Sequence, residues 1–373
     1  MSFKFTVIKQ DSMSQARLGQ LATAHGVVET PAFMPVGTQG SVKAIAPRDL
    51  EEMGCQILSA NTYHLYLRPG VDVISELGGL HRFMGWKRPV LTDSGGYQVF
   101  SLGALRKITE EGVCFQSHLD GSTHLLTPEK VVEIQEQLGS DVAMVLDECI
   151  PHPCSWEYCR DSTERTLRWG ERSLRSRSKS GMALFGIVQG GTYKDLRARC
   201  AHELTQLPFD GFAVGGLGVG EGEEALNEIG IFTATLLPQE RPRYLMGVGR
   251  PEDLIHAVRA GYDLFDCVIP TRNARRGTLF TSHGKMSIKR AEFTRDPRPV
   301  DESCDCYCCR HFSRAYLRHL YLAGEILGAW LQSLHNLHFY HGLMAALRRA
   351  IREGSLDDCA ERYKKAYAEV RVQ

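Results

Sequence analysis

Leu184-Phe185-Gly186-Ile187-Val188-Gln189-Gly190-Gly191 is a short apolar run that stops at a polar amide and two glycines, and Tyr193 to Leu207 beyond it reads as a helix. The run is too short for a helix of its own and carries no polar alternation, so it reads as a strand covered on both faces. The same unit recurs on either side. Upstream, Val142-Ala143-Met144-Val145-Leu146 ends at Asp147-Glu148 before a helical stretch from Trp156 to about Lys179, and Pro89-Val90-Leu91-Thr92 leads into Asp93-Ser94-Gly95-Gly96. Downstream, Gly211-Phe212-Ala213-Val214 ends at Gly215-Gly216-Leu217 before a helix from Glu223 to Leu237. Tyr244-Leu245-Met246 ends at Gly247-Val248-Gly249 before a helix from Pro251 to Gly261, and Asp263 to Val268 closes the series. Thr30 to Met34 and Ile57 to Ala60 complete eight candidate strands. Strands alternating with helices predict a parallel sheet with crossover helices. Polar or glycine residues end strand after strand, which is how a TIM-type (β/α)8 barrel builds its active face; an open α/β sheet would gather them at one switch point. The fold class is therefore α/β, a (β/α)8 barrel.

The pattern changes after about Asp301, to a cysteine-dense stretch followed by two helices. This divides the chain into a barrel over residues 1–300, a small metal-binding subdomain over 301–342 and a C-terminal helical segment over 343–373 that packs back on the barrel. The 373 residues are 43% apolar and 24% charged, which is the composition of a globular protein and excludes a fibrous or disordered one. No apolar stretch is long enough to span a membrane, and no signal-peptide core follows the N-terminus, so a cytoplasmic location is expected. Basic and acidic residues balance at 44 each. That balance hides a local excess: Thr271 to Val300 holds Arg272, Arg275, Arg276, Lys285, Lys289, Arg290, Arg295 and Arg298 against only Glu292 and Asp296. A basic stretch beside a barrel's active face fits a nucleic-acid partner.

Eight of the 12 cysteines are scattered singly and read as small buried hydrophobes. The other four stand in Cys304-Asp305-Cys306-Tyr307-Cys308-Cys309. Three thiolates on one tight loop can fill one hemisphere of a tetrahedral zinc site, leaving the fourth ligand to arrive from elsewhere. His335, His338, His341, His311 and Cys308 are all open to that role on sequence alone. All four coordination positions can be filled by protein ligands, so the expected metal is structural.

The stretch Thr92-Asp93-Ser94-Gly95-Gly96-Tyr97 places a carboxylate at a strand end, with glycines that let backbone approach a ligand and an aromatic ring to stack on it. Asp147 and Gln189 end neighbouring strands, and Gly215-Gly216-Leu217 supplies bare amides beside them. A carboxylate accepts from an N–H and an amino group, while an amide and a backbone N–H donate to a carbonyl and a ring nitrogen. Together these match the edge of guanine, with Tyr97 and Met246 placed to sandwich the ring. At the last strand, Asp263 and Asp266 are equal candidates for a carboxylate beside the basic loop Pro270 to Gly277. An acid among arginines suits an enzyme that attacks a sugar carbon while holding the flanking phosphates.

Asp-Ser-Gly-Gly-Tyr-Gln at 93–98, Val-Gln-Gly-Gly at 188–191, Val-Gly-Gly-Leu at 214–217, Phe-Asp-Cys-Val at 265–268, Pro-Thr-Arg at 270–272 and the CxCxxC at 304 together resemble the tRNA-guanine transglycosylases (queuine tRNA-ribosyltransferases). The resemblance implies a barrel enzyme that exchanges guanine at the tRNA wobble position for a 7-deazaguanine. It implies Asp266, rather than Asp263, as the nucleophile and Asp93 as general acid and base. Ser94, Gly95, Gly96, Asp147, Gln189 and Gly216 would bind the base, Leu217 would offer its carbonyl to the base's substituent, and Tyr97 and Met246 would stack. Zn2+ would be held by Cys304, Cys306, Cys309 and His335, with Cys308 spare. Gly247, Val248, Gly249, Arg250, Pro251, Glu252 and Asp253, with Thr271, Arg272, Asn273, Ala274 and Arg275, would contact tRNA. Val219 and Cys149 are similar to the bacterial branch, which implies 7-aminomethyl-7-deazaguanine as the incoming base. Gly218 and Arg276 depart from the family's usual residues, the first toward a wider pocket and the second toward more positive charge. A homodimer is implied. Two other readings are a non-catalytic tRNA-binding subunit of the same fold, which would lack one of the carboxylates, and an unrelated sugar-phosphate barrel enzyme, which leaves the guanine-edge residues without a role.

Overall fold

A computed structural model describes residues 3–178 and 181–368. Eight parallel strands form a closed barrel: β1 (Ala32–Gly37), β2 (Leu58–Ala60), β3 (Val90–Thr92), β4 (Val142–Met144), β5 (Ala183–Val188), β6 (Gly211–Val214), β7 (Arg243–Leu245) and β8 (Leu264–Cys267). They pair in chain order, and β8 closes on β1 with Leu264 opposite Ala32 and Asp266 opposite Met34. All eight strands read from the sequence are present. Apolar residues fill them because both faces are covered; every residue of β4, β5 and β6 is buried. Crossover helices include Trp156–Ser176, Lys194–Thr205, Glu223–Ala234 and Pro251–Arg259. The end expected for the first of these, near Lys179, lies outside the described residues.

Two three-stranded antiparallel sheets and the hairpin of Thr278–Thr281 with Gly284–Ser287 have no counterpart in the sequence reading. The first sheet is Lys4–Gln10, Arg17–Thr23 and Gly26–Thr30, and it covers the N-terminal end of the barrel. Its placement follows from contacts with the residues that immediately precede strands: Arg17 pairs with Asp263, His25 bonds Asp141, and the Glu29 amide donates to Gln56. The second is Arg106–Ile108, Val113–Gln116 and Thr123–Leu126, inserted between β3 and its following helix Pro128–Leu138.

After Asp301 the chain forms four helices, not two: Tyr307–His311, Arg314–Ala323, Ile326–Glu353 and Leu356–Ala368. The last two breaks fall at Gly324 and Gly354, both in the left-handed region at φ 72° and 73°, where side-chain-bearing residues are strained. The 28-residue helix Ile326–Glu353 runs unbroken past residue 342 and ties the cysteine loop to the barrel. Buried Asn336 on it accepts from the Phe280 amide and donates to the Pro270 and Thr278 carbonyls, and Tyr340 packs on Phe33 of β1.

Candidate active site and metal centre

Asp93 follows β3 at the C-terminal end of the barrel, where its carboxylate accepts four hydrogen bonds. The Thr62 amide (2.9 Å) and the Gly95 amide (3.1 Å) reach Oδ1; Asn61 Nδ2 and Gln98 Nε2 (3.0 Å) reach Oδ2. Burial pushes its pKa up to about 6, against the pull of those donors and with a further upward push from the neighbouring Asp266 charge. A carboxyl with that pKa takes and gives a proton near neutral pH.

Asp266 projects from β8 toward the same end. Tyr244 Oη donates to its Oδ1 at 2.6 Å and the Gly247 amide at 2.9 Å. Among the described residues none donates to Oδ2, so one oxygen is anchored and the other is free to act on a ligand. Burial raises this carboxyl as well, opposed by Tyr244 and Gly247. Asp263, its rival on sequence, is at the opposite end of the barrel. It is fully buried in a two-pronged pair with Arg17 (3.1 and 2.6 Å) and accepts the Arg243 amide at 2.7 Å. That carboxylate has no oxygen left for chemistry.

Asp147, beyond β4, accepts from Gln189 Nε2 at 2.6 Å and from Ser94 Oγ at 3.3 Å. Burial pushes it up to about 6. Gly96 lies so close that a Cβ there would stand 2.9 Å from the Asp147 carbonyl and carboxylate oxygens. Gly216, at φ 65°, brings its backbone against the Gln189 amide, whose Oε1 is buried without a partner among the described residues. Unspent hydrogen-bonding capacity at the bottom of a site is what a polar ligand edge would satisfy. Tyr97, in the short helix that starts at Gly96, is 56% exposed, Leu217 is buried and Met246 is half-buried. The exposed aromatic face and the thioether are free to hold a flat ring.

Around the rim, helix Ile269–Arg275 starts directly after β8 and presents exposed Arg272 and Arg276. Burial and these two neighbours together lower the pKa of Arg275, a crowding of cations that an anion would relieve. Arg250 is already committed to Asp253 (2.7 and 2.9 Å) and Glu223 (3.0 Å), so it shapes the Gly247–Asp253 turn.

In the cysteine loop, the sulfurs of Cys304, Cys306 and Cys309 lie 3.8, 3.6 and 3.3 Å from His335 Nδ1. A tetrahedron with metal–sulfur bonds of about 2.3 Å and metal–nitrogen bonds of about 2.0 Å has sulfur-to-nitrogen edges of about 3.5 Å, so the four donors fit one metal ion. His335 Nε2 donates to the Phe280 carbonyl at 2.8 Å, which presents Nδ1 to the sulfurs. The neighbouring Cys304 and Cys306 thiols hold the Cys309 thiol below its ordinary range, toward the ionised form a metal requires. The alternatives for the fourth ligand are placed elsewhere. His338 bonds Asp305, while His341 is pushed down to about 3 by burial and sits outside the cluster, as does buried Cys308.

Four residues of the site were not singled out from sequence. Asn61 ends β2 as Asp93 ends β3, so the strand-end rule reaches it. Gln98 lies within the quoted motif. Tyr244 sits inside an apolar run and gives no signal. Glu221 accepts the Gly218 and Val219 amides and so orients the peptides after Leu217, a role only the loop's fold reveals.

A family model described as queuine tRNA-ribosyltransferase matches residues 11–369. A curated relative of that name from Caldanaerobacter subterraneus subsp. tengcongensis is 56% identical, with 98% of each chain covered. One from Solidesulfovibrio magneticus is 58% identical over 91% of each chain, and one from Desulforamulus reducens is 54% identical over 98% of this chain and 99% of its own.

Proposed function

The chain belongs to the queuine tRNA-ribosyltransferase family, and on that premise we propose that it exchanges guanine at the tRNA wobble position by double displacement through Asp266 and Asp93. Asp266 Oδ2 attacks the ribose anomeric carbon while Oδ1 stays anchored by Tyr244 and Gly247. The bond to guanine breaks as Asp93 delivers a proton to the departing base, leaving the ribose esterified to Asp266. An incoming 7-deazaguanine then loses its proton to Asp93 and displaces Asp266 from the same carbon, so enzyme and proton inventory are restored. Asp147 accepts from the base's N–H and amino edge, Gln189 and the Gly216 amide donate to its other polar atoms, and Tyr97 and Met246 hold its faces. Ser94, Gly95 and Gly96 bring the strand turn close to the ring. The Leu217 carbonyl meets the substituent of 7-aminomethyl-7-deazaguanine, with Val219 limiting its size. The segments Gly247–Asp253 and Thr271–Arg275 carry the tRNA phosphates and anticodon loop. This is a step of queuosine biosynthesis.

The observation that carries this reading is the unequal treatment of two carboxylates on one barrel face: four donors on Asp93, and donors on only one oxygen of Asp266. Presence of both also disfavours a non-catalytic subunit. Cys304, Cys306, Cys309 and His335 hold one structural Zn2+, which stabilises the 301–342 segment against the 1–300 barrel and takes no part in the exchange. The residues from 343 onward pack back on the barrel. We also assign a homodimer and a cytoplasmic location; no helix among the described residues is long and apolar enough to cross a membrane. The test is incubation with radiolabelled guanine and tRNA. Label is expected to enter the anticodon and to be competed by 7-aminomethyl-7-deazaguanine more strongly than by queuine; absence of label from the tRNA would defeat the proposal.

A further inference from the structure

Two of the cysteines that look scattered in the sequence meet in the fold. Ser155 caps helix Trp156–Ser176, its side chain accepting from the Tyr158 amide. Cys154 is therefore the residue before the cap and Cys159 the fourth residue of the helix, the two positions whose side chains pack together where a chain enters a helix. Cys159 is fully buried with Ile150 and Leu196, and half-buried Cys154 packs on that cluster. The two thiols perturb one another, Cys159 favouring the Cys154 thiolate and Cys154 disfavouring that of Cys159. Cys154 also lines a cavity of about 60 Å³ bounded by Ile150, Tyr193, Gly191, Val219 and Gly216. Gly216 belongs to the base site, and a Cβ on Gly191 would stand 3.2 Å from the Cys159 sulfur. The thiol pair thus forms part of the wall between the helix and the pocket.

We infer that Cys154 and Cys159 are a dithiol modification site, closed to a disulfide by exchange with a low-molecular-weight disulfide and coupled to the base pocket through the Ile150–Cys154 loop. Cys154 is the attacking group, because it is the more exposed sulfur and its neighbour Cys159 favours its thiolate. Its thiolate displaces one thiolate from the reagent, forming a mixed disulfide. The Cys159 thiolate then attacks the Cys154 sulfur and releases the second thiol. The protein loses two hydrogens as the reagent gains them in becoming two thiols. Burial raises both thiols above their ordinary range, which lowers the thiolate fraction and slows the exchange at neutral pH. The coupling to the pocket rests on the proposed base-exchange function, whereas the disulfide chemistry does not.

The zinc-loaded full chain, reduced and then incubated with oxidised glutathione at mildly alkaline pH, is alkylated with N-ethylmaleimide and digested with trypsin. Residues 131–160 form one tryptic peptide holding Cys149, Cys154 and Cys159. The expected product carries one alkyl group, on Cys149, and has lost two hydrogens across the other pair. Cys154→Ser and Cys159→Ser should each abolish it. Three alkylated cysteines, or a glutathione adduct that persists on Cys154 of the unsubstituted chain, would overturn the site. In the same oxidised sample the KM for free guanine should rise severalfold and return with dithiothreitol. A disulfide that forms with KM unchanged would overturn the coupling while leaving the exchange reaction itself intact.

Discussion

The two ends of the barrel bury the same side chain for different ends. At the N-terminal end, Asp141, Asp210 and Asp263 each stand one residue before a strand (β4, β6 and β8) and each accepts a backbone amide from the strand before it: Val90, Leu184 and Arg243 respectively. Each also has a basic partner, in order His25 with His81, Arg177, and Arg17. At the C-terminal end, Asp93, Asp147 and Asp266 have only amides, hydroxyls and the side chains of Asn61, Gln98 and Gln189. A carboxylate paired with a cation joins strands and gives up its reactivity. One held by neutral dipoles, short of full compensation for burial, keeps a raised pKa and an oxygen for a ligand.

The largest expected effect tests Asp263, just before β8, against Asp266 within it, three residues apart. Asp266→Asn should leave a folded protein and remove denaturant-resistant adduct formation with tRNA, a loss of at least about a thousandfold in exchange rate, equivalent to about 4 kcal/mol of transition-state stabilisation. An adduct persisting in that variant, seen as a shifted band on a denaturing gel, would remove Asp266 from its role. Asp263→Ala should do the reverse. With Arg17 left buried and uncompensated, it should cost roughly 3–5 kcal/mol of stability, read from denaturant unfolding, while the surviving folded fraction keeps its rate constant.

That contrast marks where sequence reading stops. The eight strands were legible because apolar runs with both faces covered are short and stop abruptly, and Asp93, Asp147 and Gln189 were legible as the polar residues on which they stop. Asp263 and Asp266 flank Leu264-Phe265 in a run whose start and end the sequence does not mark, so which acid faces which end waits for strand pairing. The fourth metal ligand waits likewise: His335 and His338 lie within one turn of the same helix, and only the position of Phe280 selects the first. Tyr244 and Glu221 are legible only in three dimensions, since Tyr244 meets Asp266 across paired strands and Glu221 meets the Gly218 and Val219 amides only once the loop has turned back on itself. The N-terminal sheet escaped because its strands mix polar and apolar residues without regular alternation.

A smaller effect tests the raised pKa of the C-terminal set. Asp93, titrating near 6, must be protonated to expel guanine and ionised to accept the incoming base's proton. Single-turnover adduct formation should therefore fall up to about tenfold for each pH unit above the Asp93 pKa, as the protonated fraction falls. Resolution of a preformed adduct by added base should fall by the same factor for each unit below it. If both half-reactions respond to pH in the same direction, Asp93 is not the shared acid and base.

The smallest effect belongs to the N-terminal set, where His25 and His81 stack with ring centroids 3.6 Å apart and bond Asp141 at 2.9 and 3.1 Å. Burial alone would raise Asp141. The hydrogen bonds from His81, the Val90 amide and His25 outweigh it and hold the carboxyl below its ordinary 3.8. A carboxylate depressed in this way adds stability above its unfolded pKa and loses it as pH falls through its folded one. His81→Phe keeps a ring against His25 but removes one donor, so it should cost about 1 kcal/mol at neutral pH. The cost should shrink as Asp141 becomes protonated below about pH 4, because the neutral carboxyl no longer draws on the histidines. Denaturant unfolding of both chains at neutral and acid pH gives the difference directly. The exchange rate should not change, since Asp141 stands at the far end of β4 from Asp147. A rate that drops with His81→Phe, or a stability difference that grows on acidification, would show that the two ends of the barrel are not the separate devices their hydrogen bonds describe.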